Sequence, residues 1–410
     1  MSRGTLGFRC RSCGSEGVEL VLSLGETPLA NALIKPDQLD APEPVFPLDL
    51  AFCSDCSLVQ ITFTVPPERL FSEYPYLSSV SDTMLEHARQ LTAELGRERR
   101  LSADSLVIEI ASNDGYLLQN YLASGIPVLG IEPARNIALI AEQRRVPTIV
   151  EFFGSRLGVQ LAADGHRADV IHAHNVLAHV ADLNGVIAGI YALLKDDGIA
   201  VIEVPYVRDL IDRLEFDTIY HEHLCYFSVT ALDRLLGRHD MRLLDVQRLP
   251  IHGGSLRVRA GKRGIPHPSV AAMLGEERAI GMTSMGYYSR FGEQVRALRK
   301  QLVEALRRLK AGGNRIAAYG ASAKGSTLLN YIGIGSEVLD FVADRSVVKQ
   351  GLFTPGTRLP VVSPDVLLRE IPDYALLLVW NFADEVLRQQ HGYRERGGRF
   401  IIPVPHFQIV

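Results

Sequence analysis

Leu106-Val-Ile-Glu109-Ile-Ala111-Ser112-Asn113-Asp114-Gly115-Tyr-Leu-Leu118 decides how this chain is read. Leu106–Ile110 reads as a continuous apolar run, the pattern of a strand buried on both faces of a parallel sheet. Small residues and Gly115 then turn the chain sharply and let a ligand approach the backbone. A helix is predicted over 117–122. Glu109, at the strand end, is placed to hold the loop or a cationic cofactor. Asn113 and Asp114 can cap the helix, a structural role that can coexist with ligand contact. One glycine remains where the dinucleotide fingerprint asks for three.

Working outward, the run Val128–Ile131 predicts the next strand, and Glu132 follows it directly. A carboxylate there can accept two hydrogen bonds from ribose hydroxyls. Nicotinamide enzymes use the same device, so Glu132 does not by itself choose the cofactor. Asp169–Ala173 is a further buried strand, followed by His174, Asn175 and His179. Leu193–Pro205 supplies a helix end, a turn at Gly198 and another strand. This βαβα order predicts a doubly wound parallel sheet. It resembles class I methyltransferases, in which S-adenosylmethionine lies across the strand ends. On that resemblance Glu109, Ala111, Asn113, Asp114, Gly115, Glu132 and Asn175 are the cofactor-binding candidates.

Before this unit, Cys10-x-x-Cys13 and Cys53-x-x-Cys56 form two pairs, four of the chain's five cysteines. Two such pairs can build a tetrahedral four-thiolate zinc site with no open position, which makes it structural. Short strands around Val18–Leu22 and Leu48–Phe52 would surround it. Cys225 stands apart and reads as a small packing residue. After the middle unit, a helical pattern runs from roughly Ser269 to Leu309 and stops at Ala311-Gly-Gly-Asn. A second βαβ series begins at Arg315–Tyr319, with strands expected at Val338–Val342, Tyr374–Val379 and Phe400–Ile402. The chain therefore divides into a zinc-binding domain (1–75), a cofactor-binding domain (76–260) and a C-terminal Rossmann-like α/β domain (261–410).

Of 410 residues, 43 are Lys or Arg and 47 Asp or Glu, a net charge of −4. That balance argues against a nucleic-acid partner. Arg290–Arg308 carries basic residues, but they alternate with apolar ones at helical spacing, as on a solvated helix face. The N-terminus lacks a signal-peptide core, and no apolar run reaches the roughly 20 residues needed to span a bilayer. A cytoplasmic location without membrane partners is expected, and a monomer is compatible with everything above.

The segment Tyr220-His221-Glu222-His223-Leu-Cys225-Tyr226-Phe227-Ser228 is dense in groups that exchange protons or donate hydrogen bonds. Two alternating histidines make a poor zinc site, and the i, i+4 helical spacing is absent. A polar structural cluster and acid–base chemistry remain open, with chemistry favoured. Here the chain resembles the sugar C-methyltransferases of deoxysugar biosynthesis, enzymes of antibiotic biosynthesis. The resemblance spans essentially the whole chain: the paired cysteines, Leu24-Gly-Glu-Thr-Pro-Leu-Ala-Asn31, Tyr74-x-Tyr76-x-Ser-Ser, Glu109-Ile-Ala-Ser-Asn-Asp-Gly-Tyr, Asn175-Val-x-Ala-His179, Tyr220-His-Glu-His, His252-Gly-Gly-Ser-Leu-Arg257 and Tyr319-Gly-Ala-Ser-Ala-Lys324-Gly. It implies active-site roles for Tyr76, His179, Tyr220, Glu222 and His223, with Tyr74 the alternative to Tyr76.

Those residue types suit methylation of a carbon beside a ketone. The carbon must lose a proton before it can attack a sulfonium methyl, and histidine is the natural base near neutral pH. Tyrosine hydroxyls and a second histidine can donate to the enolate oxygen. The reading is therefore an S-adenosylmethionine-dependent C-methyltransferase with His223 as base. Its substrate would be a nucleotide-linked 4-keto-sugar, with thymidine diphosphate as nucleotide and carbon 3 as acceptor. His252, Arg257, Ser322 and Lys324 are the substrate-binding candidates. For Ser322 and Lys324 a loop that only connects two elements is the structural alternative. The rivals are methyl transfer to oxygen, nitrogen or carbon 5, a nicotinamide-dependent oxidoreductase, and a non-catalytic sugar-nucleotide binder.

Overall fold

The computed structural model describes residues 7–71, 77–251 and 253–410. In chain order the strands are β1 (Val18–Pro28), β2 (Val45–Cys53), β3 (Val59–Ile61), β4 (Val107–Ile110), β5 (Val128–Ile131), β6 (Thr148–Ile149), β7 (Ala168–His174), β8 (Leu194–Pro205) and β9 (Cys225–Tyr226). Then come β10 (Arg242–Leu249), β11 (Ser255–Gly261), β12 (Ile316–Tyr319), β13 (Val342–Ala343), β14 (Val361–Val362), β15 (Tyr374–Leu377), β16 (Arg399–Ile402) and β17 (Gln408–Ile409). They form three sheets, ordered β1-β2-β3-β9, β10-β11-β8-β7-β4-β5-β6 and β14-β13-β12-β15-β16-β17.

The middle sheet is parallel from β6 to β8, and β11 and β10 continue it antiparallel. From β4 the chain winds outward through β5 and β6, then returns to β7 on the other side of β4. That reversal is the topological switch point, where open α/β sheets bind ligands beyond the carboxyl ends of their strands. All four residues of β4 are buried, Glu109 included. The C-terminal sheet repeats the plan: β12 pairs in parallel with β13 on one side and β15 on the other.

Two expectations are corrected. The helical pattern from Ser269 to Leu309 is two helices, Pro268–Ala279 and Met285–Ala311. The break falls at Gly281, whose φ of 85° ends the first helix. Glu277, fully buried, accepts the backbone N–H groups of Val229 and Thr230 and the hydroxyls of Thr230 and Tyr206. It thereby caps the N-terminus of helix Val229–Gly237, where a carboxylate is favoured by the unpaired amides. The second correction shortens the strand expected at Val338–Val342 to Val342–Ala343.

The first sheet holds a pairing that the sequence did not announce. Its fourth strand, β9, comes from the aromatic segment far along the chain, with Gln60 opposite Cys225 and Val59 opposite Tyr226. The zinc-side sheet is thus completed by the segment that carries the candidate chemistry. Cys225 is buried there, and burial pushes its thiol up to about 12, as suits a packing residue. Among the described residues, no helix is long and apolar enough to cross a membrane.

Candidate active site and metal centre

The four N-terminal cysteines converge. Their sulfurs all lie within 4.8 Å of one another, with Cys10–Cys56 at 3.5 Å and Cys13–Cys53 at 3.6 Å. Bonds of about 2.3 Å to a tetrahedral zinc put thiolates roughly 3.8 Å apart, so the set fits the ion. Each pair sits on the same turn: Gly14 N donates to Cys10 O and Ser57 N to Cys53 O, both at 2.9 Å. Gly14 and Ser57 take the left-handed conformation, φ 74° and 63°. Gln60 Nε2 donates to Cys10 Sγ (3.1 Å), and Gln60 Oε1 accepts Arg11 N–H (3.0 Å). This cysteine cradle therefore reaches directly into the β3–β9 pair.

At the switch point the loop after β4 holds three consecutive alternate residues at positive φ: Ala111 (52°), Asn113 (48°) and Gly115 (75°). This is the backbone course of a glycine loop, carried largely by other residues. Asparagine tolerates the left-handed region; alanine is less common there and costs some strain. Gly130 on β5 is required by the loop's approach, since a Cβ would lie 2.5 Å from Ser112 Oγ. Glu132 ties the turn together: Oε2 accepts Asn113 N–H and Oε1 accepts Ala134 N–H, both at 2.9 Å. Asn113 Oδ1 accepts Ser78 N–H at 2.8 Å, and Arg144 Nη2 donates to Ser79 Oγ at 2.9 Å. The described end of the Tyr74–Ser79 stretch thus lands on this loop. Tyr74, Tyr76 and His252 lie outside the described residues.

Beneath the loop runs a row of buried polar groups. Glu109 Oε2 and Ser112 Oγ are buried without a hydrogen-bond partner. Burial, together with Glu132, Asp114 and Glu203, holds the Glu109 carboxyl well above the usual range. Asp114 is paired with Arg144 at 3.1 Å. Asn175, φ 54°, donates its N–H to Glu203 O. Orphaned buried polar atoms at a switch point are what a polar ligand would satisfy, so these residues fit the cofactor of a class I methyltransferase. Next to them, Tyr121 OH meets His172 Nε2 (3.0 Å) and His172 Nδ1 meets His174 Nε2 (3.1 Å). His174 Nδ1 faces Glu203 at 3.6 Å. Burial lowers His174 to about 4. Arg257 Nε donates to Glu203 Oε1 at 2.6 Å, across the register pair of β11 and β8. The structure therefore places Arg257 in a buried ion pair rather than at an open surface.

Sequence reasoning brought together Tyr220, Glu222, His223 and His179, and the structure brings them together too. His223 Nδ1–H donates to Thr218 O (3.0 Å), so its Nε2 carries the lone pair, and Tyr220 OH lies 3.0 Å from that atom. His179 Nδ1–H donates to Glu222 O (2.6 Å), which likewise leaves Nε2 as its acceptor. The two imidazole rings meet edge to face at 5.0 Å. Burial, and then the neighbouring His179, lower His223 to about 3. Both rings are neutral at neutral pH. The Glu222 carboxylate, raised by burial, accepts Asn31 Nδ2–H at 2.7 Å. Asn31 was not singled out as a site residue by sequence; the only signal was its place in the Leu24–Asn31 motif. His221 faces the other way, Nε2 3.2 Å from Pro47 O in β2.

Residues of the C-terminal region approach this cluster. Lys324, in helix Ala323–Ile332, stands over the Trp380 ring at 5.1 Å. Its ammonium is near enough to Glu215, Asp217 and His223 to shift all three. Ser322 is the N-cap of the same helix, its Oγ accepting Gly325 N–H at 3.1 Å. Asp217, Glu277 and Trp380 carried no sequence signal.

A polar loop at a switch point, a four-thiolate cradle and a buried tyrosine–histidine cluster fit an S-adenosylmethionine-dependent methyltransferase with a structural zinc. Comparison with known proteins agrees. Residues 10–71 match a zinc binding domain model, 83–246 a methyltransferase domain, and 250–405 a C-methyltransferase C-terminal domain. The chain is 37% identical to C-methyltransferase NovU of Streptomyces niveus over 404 residues, 98% of this chain and 96% of that one. This chain belongs to the C-methyltransferase family. Among solved structures, a S-adenosylmethionine-dependent methyltransferase of Clostridium acetobutylicum aligns with 44% of this chain and 92% of its own, at 10% identity and TM-score 0.35. The glycopeptide N-methyltransferase MtfA aligns with 47% of this chain and 96% of its own, at 12% identity and TM-score 0.35.

Proposed function

We propose that this C-methyltransferase acts on a nucleotide-linked 4-keto-deoxysugar, with thymidine diphosphate as nucleotide and carbon 3 as acceptor. The observation that carries the reading is the paired imidazoles of His223 and His179. Each is locked by an Nδ1–H bond to a backbone carbonyl, so each presents Nε2 as a base. Methyl transfer to oxygen or nitrogen does not call for carbon-acid machinery. The division into domains at 1–75, 76–260 and 261–410 is part of the same reading.

S-adenosylmethionine supplies the electrophilic methyl group. Glu109, Ala111, Asn113, Asp114, Gly115, Glu132 and Asn175 would hold it over the switch point, with Glu132 toward the ribose. His223 Nε2 takes the proton from the carbon beside the ketone, once the Tyr220 hydroxyl turns from that nitrogen to the substrate. The His223 imidazole is a weak base in the free enzyme because burial disfavours its cation. An enolate in contact with it reverses that penalty by opposite charge. Tyr220 donates its hydroxyl hydrogen to the enolate oxygen, and His179, whose Nε2 is an acceptor, flanks His223. Glu222, with Asn31, orients the segment or holds a sugar hydroxyl, and Tyr76 is a further proposed catalytic residue. His252, Arg257, Ser322 and Lys324 are the proposed substrate contacts. Lys324 is the strongest candidate, as a cation beside the imidazoles; Arg257 would have to act from within its ion pair. The location proposed is the cytoplasm, in deoxysugar biosynthesis.

A screen of 4-keto-sugar nucleotides with S-adenosylmethionine carrying a labelled methyl, followed by product NMR, tests this. A labelled methyl on carbon 3 is expected. Label on oxygen or nitrogen would overturn the proposal.

A further inference from the structure

The turn Phe216–Thr218 lies between the catalytic segment and the C-terminal domain. Asp217 is fully buried in it. Its Oδ2 accepts the Trp380 Nε1–H at 2.6 Å, and its Oδ1 has no hydrogen-bond partner. Trp380 opens the turn that follows β15, at the ligand edge of the C-terminal sheet. Lys324 Nζ stands over the face of that indole. Phe216 packs edge to face on Tyr331 of helix Ala323–Ile332, ring centroids 5.3 Å apart. One residue after Asp217, the Thr218 carbonyl receives the His223 Nδ1–H.

We propose that Trp380 and Asp217 form a latch through which the docked C-terminal domain sets the tautomer and orientation of His223, by way of the Thr218 carbonyl. Asp217 and Trp380 are positioning residues, since neither touches the reacting atoms. The physical argument is one of stiffness. A backbone carbonyl can select a histidine tautomer only if the turn that bears it is held. The charge-assisted indole bond holds this turn from the domain opposite. A base placed in this way is competent when the C-terminal domain is seated and loses its alignment when it is not. The functional half of the inference rests on His223 being the base; the structural half does not.

Trp380 is the chain's single tryptophan, so its emission reports the latch without labelling. The test uses the full-length zinc-loaded enzyme with W380F, D217A, D217N and H223N. Melting temperature and S-adenosylhomocysteine affinity serve as checks of folding. Nitrogen NMR of labelled histidine identifies His223 as the signals missing from H223N. In W380F and D217A, His223 should move from the Nδ1–H form toward a mixture of tautomers. Their kcat should fall at least tenfold, with KM for S-adenosylmethionine within twofold of the parent. D217A should shift the tryptophan emission. D217N keeps an acceptor oxygen, so it should restore the emission, the tautomer and most of kcat. Unmoved His223 signals in W380F and D217A overturn the latch, whatever happens to turnover. Moved signals with unchanged kcat uphold the latch and remove His223 as the base, which full turnover in H223N would show independently.

Discussion

The loop after β4 and the loop after β12 are built alike and filled differently. In each, the acid at the end of the neighbouring strand reaches back to a loop amide. Glu132 Oε2 accepts Asn113 N–H at 2.9 Å, and Asp344 Oδ2 accepts Ala321 N–H at 2.7 Å. The second oxygen takes a local amide in both, from Ala134 and from Ser346. The difference lies in what remains unsatisfied. Below the first loop, Glu109 Oε2 and Ser112 Oγ are buried without partners. Below the second, β12 is Ile316-Ala-Ala-Tyr319, and Lys349 Nζ fills the turn by donating to Ala321 O at 2.7 Å. Gly320 there makes room for protein, because its Cβ would lie 2.6 Å from Val379. The two loops share their shape; buried polar atoms without partners set the first apart.

The largest effect expected on that contrast is chemical. Replacing His223 by Asn should lower turnover by about 10²–10⁴, the usual contribution of a general base. It should also abolish deuterium uptake by the keto-sugar nucleotide in heavy water with S-adenosylhomocysteine bound. Uptake at the parental rate would move the base to His179 or Tyr220.

Next in size is the direct comparison of the two acids. Glu132→Ala should weaken S-adenosylhomocysteine binding by roughly 2–4 kcal/mol, about 1–2 for each charge-assisted bond. Asp344→Ala should leave that affinity within twofold. Calorimetry on both variants decides the matter, and equal losses would break the distinction between the loops.

Acidification should also separate the halves. His174 and His223 are held neutral, at about 4 and about 3, by burial. Unfolded histidine titrates near 6.5, so below that pH the unfolded chain binds more protons than the folded one. Stability is therefore lost as pH falls from about 6.5 toward about 4, by at least roughly 1.4 kcal/mol, one pKa unit's worth. Among the described residues the C-terminal domain buries no histidine. Hydrogen exchange at pH 7 and pH 5 should show the loss in β7 and the 218–226 segment, and little change in β12 and β15. Uniform loss would contradict this.

The smallest effect concerns Ser322. Its hydroxyl caps helix Ala323–Ile332, so Ser322→Ala should cost about 1 kcal/mol, seen in thermal unfolding. A larger effect on KM for the nucleotide sugar than on stability would show that it also contacts substrate.

Much of this could be read from residues in order along the chain. Buried parallel strands announce themselves as apolar runs, and the observed β5 matches Val128–Ile131 as read. Paired cysteines announce a thiolate site because a tight turn needs them three apart. The Tyr220–Ser228 segment stood out because so many proton-exchanging groups fall within nine residues. These features are local, and local spacing determines them. Counting glycines, by contrast, understated the loop after β4, since Ala111 and Asn113 also take left-handed backbone, and Asn113 is held by bonds with Glu132 and Ser78 from outside the loop. The long helix was broken at Gly281, with Glu277 drawn into a cap 47 residues away in sequence. Asn31 meets Glu222 across 191 residues, and Trp380 meets Asp217 across 163. Periodicity and spacing hold no record of such pairs, because they form only when three sheets pack. The sequence by itself determined the chemistry available and the strands that carry it. Tertiary packing decided which nitrogen of each histidine is free, which polar groups stay unsatisfied, and which distant side chain meets the turn beside His223.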